Sequence, residues 1–207
     1  HQIHQPAREL LPLTSPWPFA MWGLDIVGPL PTAPGNRKFF LAATDYFTKW
    51  VEAEALASIK ERDVKKLVWQ NISTRSRIPK ALISDNGTQF DGRIFRGFCE
   101  EYKIEFYNST PAYPLANGQA EASNKVILDG LKKRLEKAKG KWADELPHVL
   151  WAYRTTPRRS TGETPFSLAY GMEAVIPLEV GLPTIRSENF DPDLNGEAIA
   201  LELDLAE

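Results

Sequence analysis

Three acidic residues stand in sequence contexts where an acid needs a reason. Asp25 interrupts the apolar run MWGLDIVGPL between Leu24 and Ile26, Asp85 follows ALIS and opens the turn-former Asp85-Asn86-Gly87, and Glu121 lies near the start of a long helical segment. Each has a plain reading by itself: a wet edge-strand face for Asp25, a turn residue for Asp85, a solvent-facing glutamate for Glu121. As a set they suggest different chemistry. A strand-end acid, a mid-strand acid of a neighbouring strand and an acid in the first turns of a helix can converge above a sheet. Three carboxylates at close range cannot all be ionised without a cation between them. All-oxygen ligands favour Mg²⁺ or Mn²⁺ over Zn²⁺. Two such ions about 4 Å apart suit in-line phosphoryl transfer, one beside the attacking oxygen and one beside the leaving oxygen.

The elements that must position these acids follow from periodicity and turn residues. MWGLDIVGPL reads as a first strand closed by Gly28-Pro29, and alternation sends Trp22, Leu24 and Ile26 to one face and Asp25 to the other. Two antiparallel strands are expected over about 38–46 and 49–56. Ile59, Val64, Leu67, Val68 and Ile72 then mark a helix over about 58–73, stopped by Pro79. ALIS is a buried strand, 92–102 a helix burying Ile94, Phe95, Phe98 and Cys99, and KIEFYN a short strand. The longest helix is expected from about Asn117 to Lys139 with Ile127, Leu131, Leu135 and Ala138 as its stripe, followed by a helix from Trp142 to Arg154. This order is α/β, a mixed sheet flanked by helices.

Composition bounds the rest. The chain has 207 residues, 43% hydrophobic and 25% charged, enough for a core and against disorder of the whole chain. No run approaches the roughly 20 apolar residues of a membrane span, and residues 1–20 lack the apolar stretch of a secretory signal. Cys99 is the only cysteine, so no intrachain disulfide and no cysteine-based zinc site is expected. The net charge of −2 hides a division: Glu188 to Glu207 carries seven acids and no Lys or Arg, leaving residues 1–187 at +5. The tail reads as a solvated end. A start at His1 rather than Met suggests a piece of a longer polypeptide.

Thirty-five residues lie between Asp85 and Glu121. With an upstream strand Asp, this resembles the Asp, Asp, thirty-five, Glu signature of retroviral and retrotransposon integrases. WGLDIVGPLP, TDYFTKWVEA, ISDNGTQF and TPAYPLANGQAEASNK resemble the integrase core of gypsy-type LTR retrotransposons, particularly plant elements, and TPFSLAYGMEAVIPLEV is similar to the segment that follows it. The resemblance implies a ribonuclease-H-like fold and a divalent-metal-dependent polynucleotidyl transferase that trims the element's 3′ DNA ends and joins them to target DNA. It implies Asp25, Asp85 and Glu121 as catalytic metal ligands, for Mg²⁺ or Mn²⁺ and two ions. Asn117, Asn124 and Lys125 match positions that line DNA, and Lys132 in the same helix joins them as a DNA contact. Leu128 departs from the family, which often places a second Lys there.

The same resemblance implies double-stranded DNA as partner, a homo-oligomer, a place in a Pol polyprotein and action in the nucleus. The expected division is an arm over 1–16, leaving a zinc-binding domain outside this chain, a catalytic core over 17–160, a post-core extension over 161–187 and the acidic tail. The alternative from another class is a catalytically silent DNA-binding or assembly fragment; a third is a related nuclease or transposase on the same fold.

Other features carry plainer readings. The windows 60–80 and 125–141 are each +5; the first reads as a solvated face, the second begins at the helix of Glu121 and suits phosphate contact. Six Trp residues suit core or subunit-interface packing. Asp45, another strand-end acid near Asp25, reads as structural.

Overall fold

A computed structural model of the chain describes residues 15–85, 87–108, 114–135, 140–159 and 161–175, with side chains described over 122–133 of the segment 114–135. The strands are β1 (Met21–Val27), β2 (Phe39–Asp45), β3 (Val51–Leu56), β4 (Ala81–Ser84) and β5 (Glu105–Asn108). The helices are α1 (Glu61–Leu67), α2 (Arg93–Glu101), α3 (Pro114–Leu135), α4 (Trp142–Arg154) and α5 (Pro165–Tyr170). The chain divides into two compact units, His1–Leu150 and Trp151–Glu207.

In the first unit the five strands form one sheet in the order β3-β2-β1-β4-β5. β1 pairs antiparallel with β2 and parallel with β4, and β4 pairs parallel with β5, so the sheet is mixed as its element order requires. Alternation along these registers separates two faces. Trp22, Leu24, Leu82 and Phe106 share one of them; α2 packs there through Phe95, whose ring meets Phe106 edge-on at 5.4 Å, and α1 joins through Lys66 and Glu54. The opposite face carries Gly23, Asp25 and Phe40. There Trp142 of α4 lies 6.4 Å from the Phe40 ring and donates its indole N–H to Pro31 O at 2.7 Å.

Several boundaries differ from the sequence expectation for identifiable reasons. The helix expected over 58–73 is regular only over Glu61–Leu67 and widens into a π-type turn over Val68–Ser73, which still buries Val68 and Ile72. Ile94, expected in the core, is 50% exposed. Phe95, Phe98 and Cys99 define the buried stripe of α2, and a one-residue step rotates Ile94 by about 100° off it. The long helix begins at Pro114 rather than near Asn117, consistent with proline's fit to a first helical turn. Ile127 and Leu131 are buried as expected, whereas Leu135 and Ala138 fall outside the described side chains. Trp22, Trp50 and Trp142 are core residues; Trp17, Trp69 and Trp151 are partly exposed.

In the second unit Thr164 caps α5 by accepting from Ser167 N, and Gly171 ends it in the left-handed region, a helix the sequence did not announce. The Arg158 guanidinium lies 3.4 Å over the Tyr153 ring and donates to Tyr153 O, so this arginine holds a local turn.

Asp45, which the triad of the resembled family does not use, holds a turn. It is fully buried at the end of β2, and its Oδ2 accepts from both the N–H and the hydroxyl of Thr48, closing the turn into β3. Burial is the largest influence on its carboxyl and raises its pKa, against the Thr48 donors that favour the charged form. A folded pKa above the unfolded one means that the native state holds this proton more tightly. The resulting stability is full below the unfolded value, about 3.9, and is lost as pH rises through the folded value.

Two outcomes test this packing. Trp142→Ala removes an indole that fills the α4 side of the sheet, and urea unfolding should show a loss of about 3–5 kcal/mol. Asp45→Asn keeps an acceptor for Thr48 without the titration. Measured from pH 3.5 to 7, its stability relative to the native protein should improve as pH rises, whereas a pH-independent difference would show an unperturbed carboxyl.

Candidate metal centre

The parallel register of β1 and β4 pairs Gly23 with Ile83 and Leu24 with Ser84. The next residue of each segment is an aspartate, so Asp25 and Asp85 occupy corresponding positions one residue past the paired stretch. Both stand toward the carboxyl ends of parallel strands, the edge where open α/β sheets bind ligands. Asp25 is half-buried and Asp85 exposed.

Local hydrogen bonds orient both acids. Asp25 Oδ1 accepts from Ile26 N at 2.7 Å and its Oδ2 from Asn124 Nδ2 at 2.6 Å. Asp85 Oδ1 accepts from Gly87 N at 3.1 Å, the self-capped turn that Asp-Asn-Gly favours. Ser84, fully buried, donates its hydroxyl to Asp85 O at 2.9 Å and pins the strand end. Further along, the Glu61 carboxylate accepts from Ile94 N at 2.8 Å and occupies the space beside Gly92, where a Cβ would come within 1.7 Å of it. Phe90 is wholly buried, so the loop after Asp85 is anchored at its far end.

Asn124 ties α3 to this site. It is 4% exposed, and its Oδ1 has no hydrogen-bond partner among the described residues. Asn124, expected to line DNA, engages Asp25 directly. Glu121 lies three residues earlier in α3, one turn toward the helix start and on the same helical face by spacing. Its side chain, and that of Asn117 in the same helix, lie outside the described residues. Lys125 and Lys132 are exposed on α3, with Lys132 4.0 Å from Asp129.

Among the described residues no group of three His, Cys, Asp or Glu side chains is assembled to hold a metal. What is assembled is Asp25 with the buried Asn124 carboxamide, and Asp85 stands one residue past the end of β4. These are hard oxygen donors, and they fit Mg²⁺ or Mn²⁺ rather than a thiolate- or imidazole-seeking ion.

Two residues that the sequence reading passed over complete the floor of the site. Tyr46 packs with Ile83 and Met21 on this face, and its hydroxyl lies over Gly23. Burial, and secondarily the Asp25 charge, pushes the Tyr46 hydroxyl well above the usual phenol range, so it stays protonated. The signal was a glycine in mid-strand, which marks a close approach.

Residues 16–114 match the family model of the integrase core domain. The chain is 34% identical over 187 residues to the Gag-Pol polyprotein of woolly monkey sarcoma virus, covering 90% of this chain and 11% of that polyprotein. It thus spans little more than a tenth of that relative. Its backbone is similar to the catalytic core domain of HTLV-2 integrase, solved in complex with magnesium, with a TM-score of 0.62 at 19% identity over 75% of this chain and 99% of that one. A chain of the simian T-cell lymphotropic virus intasome, solved in complex with PP2A regulatory subunit B56 gamma, superposes with a TM-score of 0.66 at 18% identity, over 74% of this chain and 55% of that one. The mixed five-stranded sheet is therefore the ribonuclease-H-like sheet of integrase catalytic cores. The match to the integrase core domain thus covers residues 16–114, which include both aspartates.

Proposed function

We propose that this chain is the catalytic core of a DNA-integrating polynucleotidyl transferase, from the Pol polyprotein of a gypsy-type LTR retrotransposon. The observation that carries the reading is the juxtaposition of Asp25 and Asp85 at the ends of two parallel strands, with α3 drawn onto Asp25 through Asn124. In this reading Asp25, Asp85 and Glu121 hold Mg²⁺ or Mn²⁺, with two ions at full occupancy. The ions supply charge neutralisation for in-line displacement at phosphorus.

The chain's own residues supply orientation and reach. The Ile26 N–H and the Asn124 amide each engage one oxygen of Asp25 and so orient its carboxylate. The Gly87 N–H and the Ser84 hydroxyl hold Asp85 at the edge of the sheet. Lys125 and Lys132 lie exposed on the helix that carries Glu121 and suit contacts to a phosphate backbone, with Asn117 nearer the helix start. The substrate is double-stranded DNA. Water attacks first and trims the element's 3′ end; the freed 3′-hydroxyl then attacks a target phosphodiester, without a covalent enzyme intermediate. Residues 17–160 form the catalytic core, 161–187 its extension. The protein acts in the nucleus as a homo-oligomer.

Asp85→Asn tests this. The variant should melt like the native protein and lose at least about a thousandfold in Mg²⁺-dependent nicking and joining of an oligonucleotide duplex, several kcal/mol of transition-state stabilisation. Undiminished joining would reject the metal role. Native protein without metal-dependent chemistry but with salt-sensitive DNA binding would favour a silent assembly fragment.

A further inference from the structure

The Tyr46 hydroxyl is the polar group of this site that the proposed chemistry leaves without a task. Tyr46 is 5% exposed, and its ring packs against Ile83 and Met21. The ring reaches along β1 until its hydroxyl covers Gly23: a Cβ built there would lie 2.5 Å from Tyr46 Oη and 2.9 Å from Cζ. A glycine in a central strand weakens it, and a buried phenol ordinarily finds a hydrogen-bond partner. Here the strand accepts the glycine, and the space so opened admits the hydroxyl. Phenylalanine would fill the same volume among Ile83 and Met21, so packing alone does not call for the oxygen.

The position of that oxygen gives it a purpose. Gly23 is two residues before Asp25 on the same face of β1, so the hydroxyl lies on the face of the sheet that carries Asp25, with Ile83 of β4 beside it. We propose that Tyr46 is a positioning residue of the metal centre, its hydroxyl hydrogen-bonding to the ligand shell of the cation that Asp25 and Asp85 hold. The inference rests on the metal-dependent reading above. Mg²⁺ keeps several waters when it binds few carboxylates, and outer-shell groups that orient ligands typically contribute ten- to a hundredfold in affinity.

Tyr46→Phe removes only the oxygen. Calorimetric titration of the whole chain with Mn²⁺ should give a dissociation constant about tenfold higher for Tyr46→Phe, with the melting temperature of the metal-free protein unchanged. Native affinity in Tyr46→Phe would overturn the proposal, as would a lower melting temperature with affinity intact, which would make the hydroxyl a stability element. The Asp85→Asn protein separates the two layers. If it binds Mn²⁺ as tightly as the native chain, the centre itself is misassigned and Tyr46 falls with it. If Asp85→Asn abolishes binding while Tyr46→Phe leaves it untouched, only the role of Tyr46 is rejected.

Discussion

The parallel pairing of β1 with β4 is the constraint on which the rest of the site depends. Parallel neighbours end on the same edge of a sheet, so acids placed at corresponding positions of the two chains emerge together. The register is held from the opposite face, where Trp22, Leu24 and Leu82 are buried under the α1 and α2 layer. A slip of one residue would turn those side chains outward and send Asp25 into the apolar layer. The hydrophobic face therefore sets the position of the charged one. The excursion through β2, β3 and α1 between the two strands serves the same end, because a parallel pair needs a crossover.

Two neighbouring carboxylates repel, and the fold offsets this by surrounding them with donors rather than separating them. Ile26 N–H, Asn124 and Gly87 N–H each engage one of their oxygens, and Ser84 secures the backbone beneath Asp85. Asp45 shows the contrasting solution for the same residue type on the next strand. It lies on the opposite face, sealed from water, with its Oδ2 engaged inside one turn by Thr48. What separates a structural aspartate from a candidate ligand here is which face of the sheet it occupies, and hence whether a second element can bring another polar group to it.

Much of this was legible in the residue order. The alternation around Asp25, the apolar tetrapeptide before Asp85 and the turn chemistry of Asp-Asn-Gly specify strand, strand end and loop through local physics. The stripe of Ile127 and Leu131 marks the helix that lies across them. Less legible were features set by neighbours distant in the chain. Ile94 looks like a core residue until the orientation of α2 puts Phe95 and Phe98 inward. Asn124 reads by resemblance as a position that lines DNA; that its amide meets Asp25, ninety-nine residues away, follows only from the docking of α3.

The amino-acid order by itself determined the element types, the mixed α/β arrangement and the acids worth following, because periodicity, β-branching and turn preference act over a few residues. Tertiary structure alone decided that Asp25 and Asp85 fall at corresponding positions of neighbouring segments, that the Asn124 amide donates to Asp25 and that the Tyr46 hydroxyl rests in the space left by Gly23. Those relations arise from strand pairing and helix docking, in which burial of apolar surface brings together groups that no local rule connects.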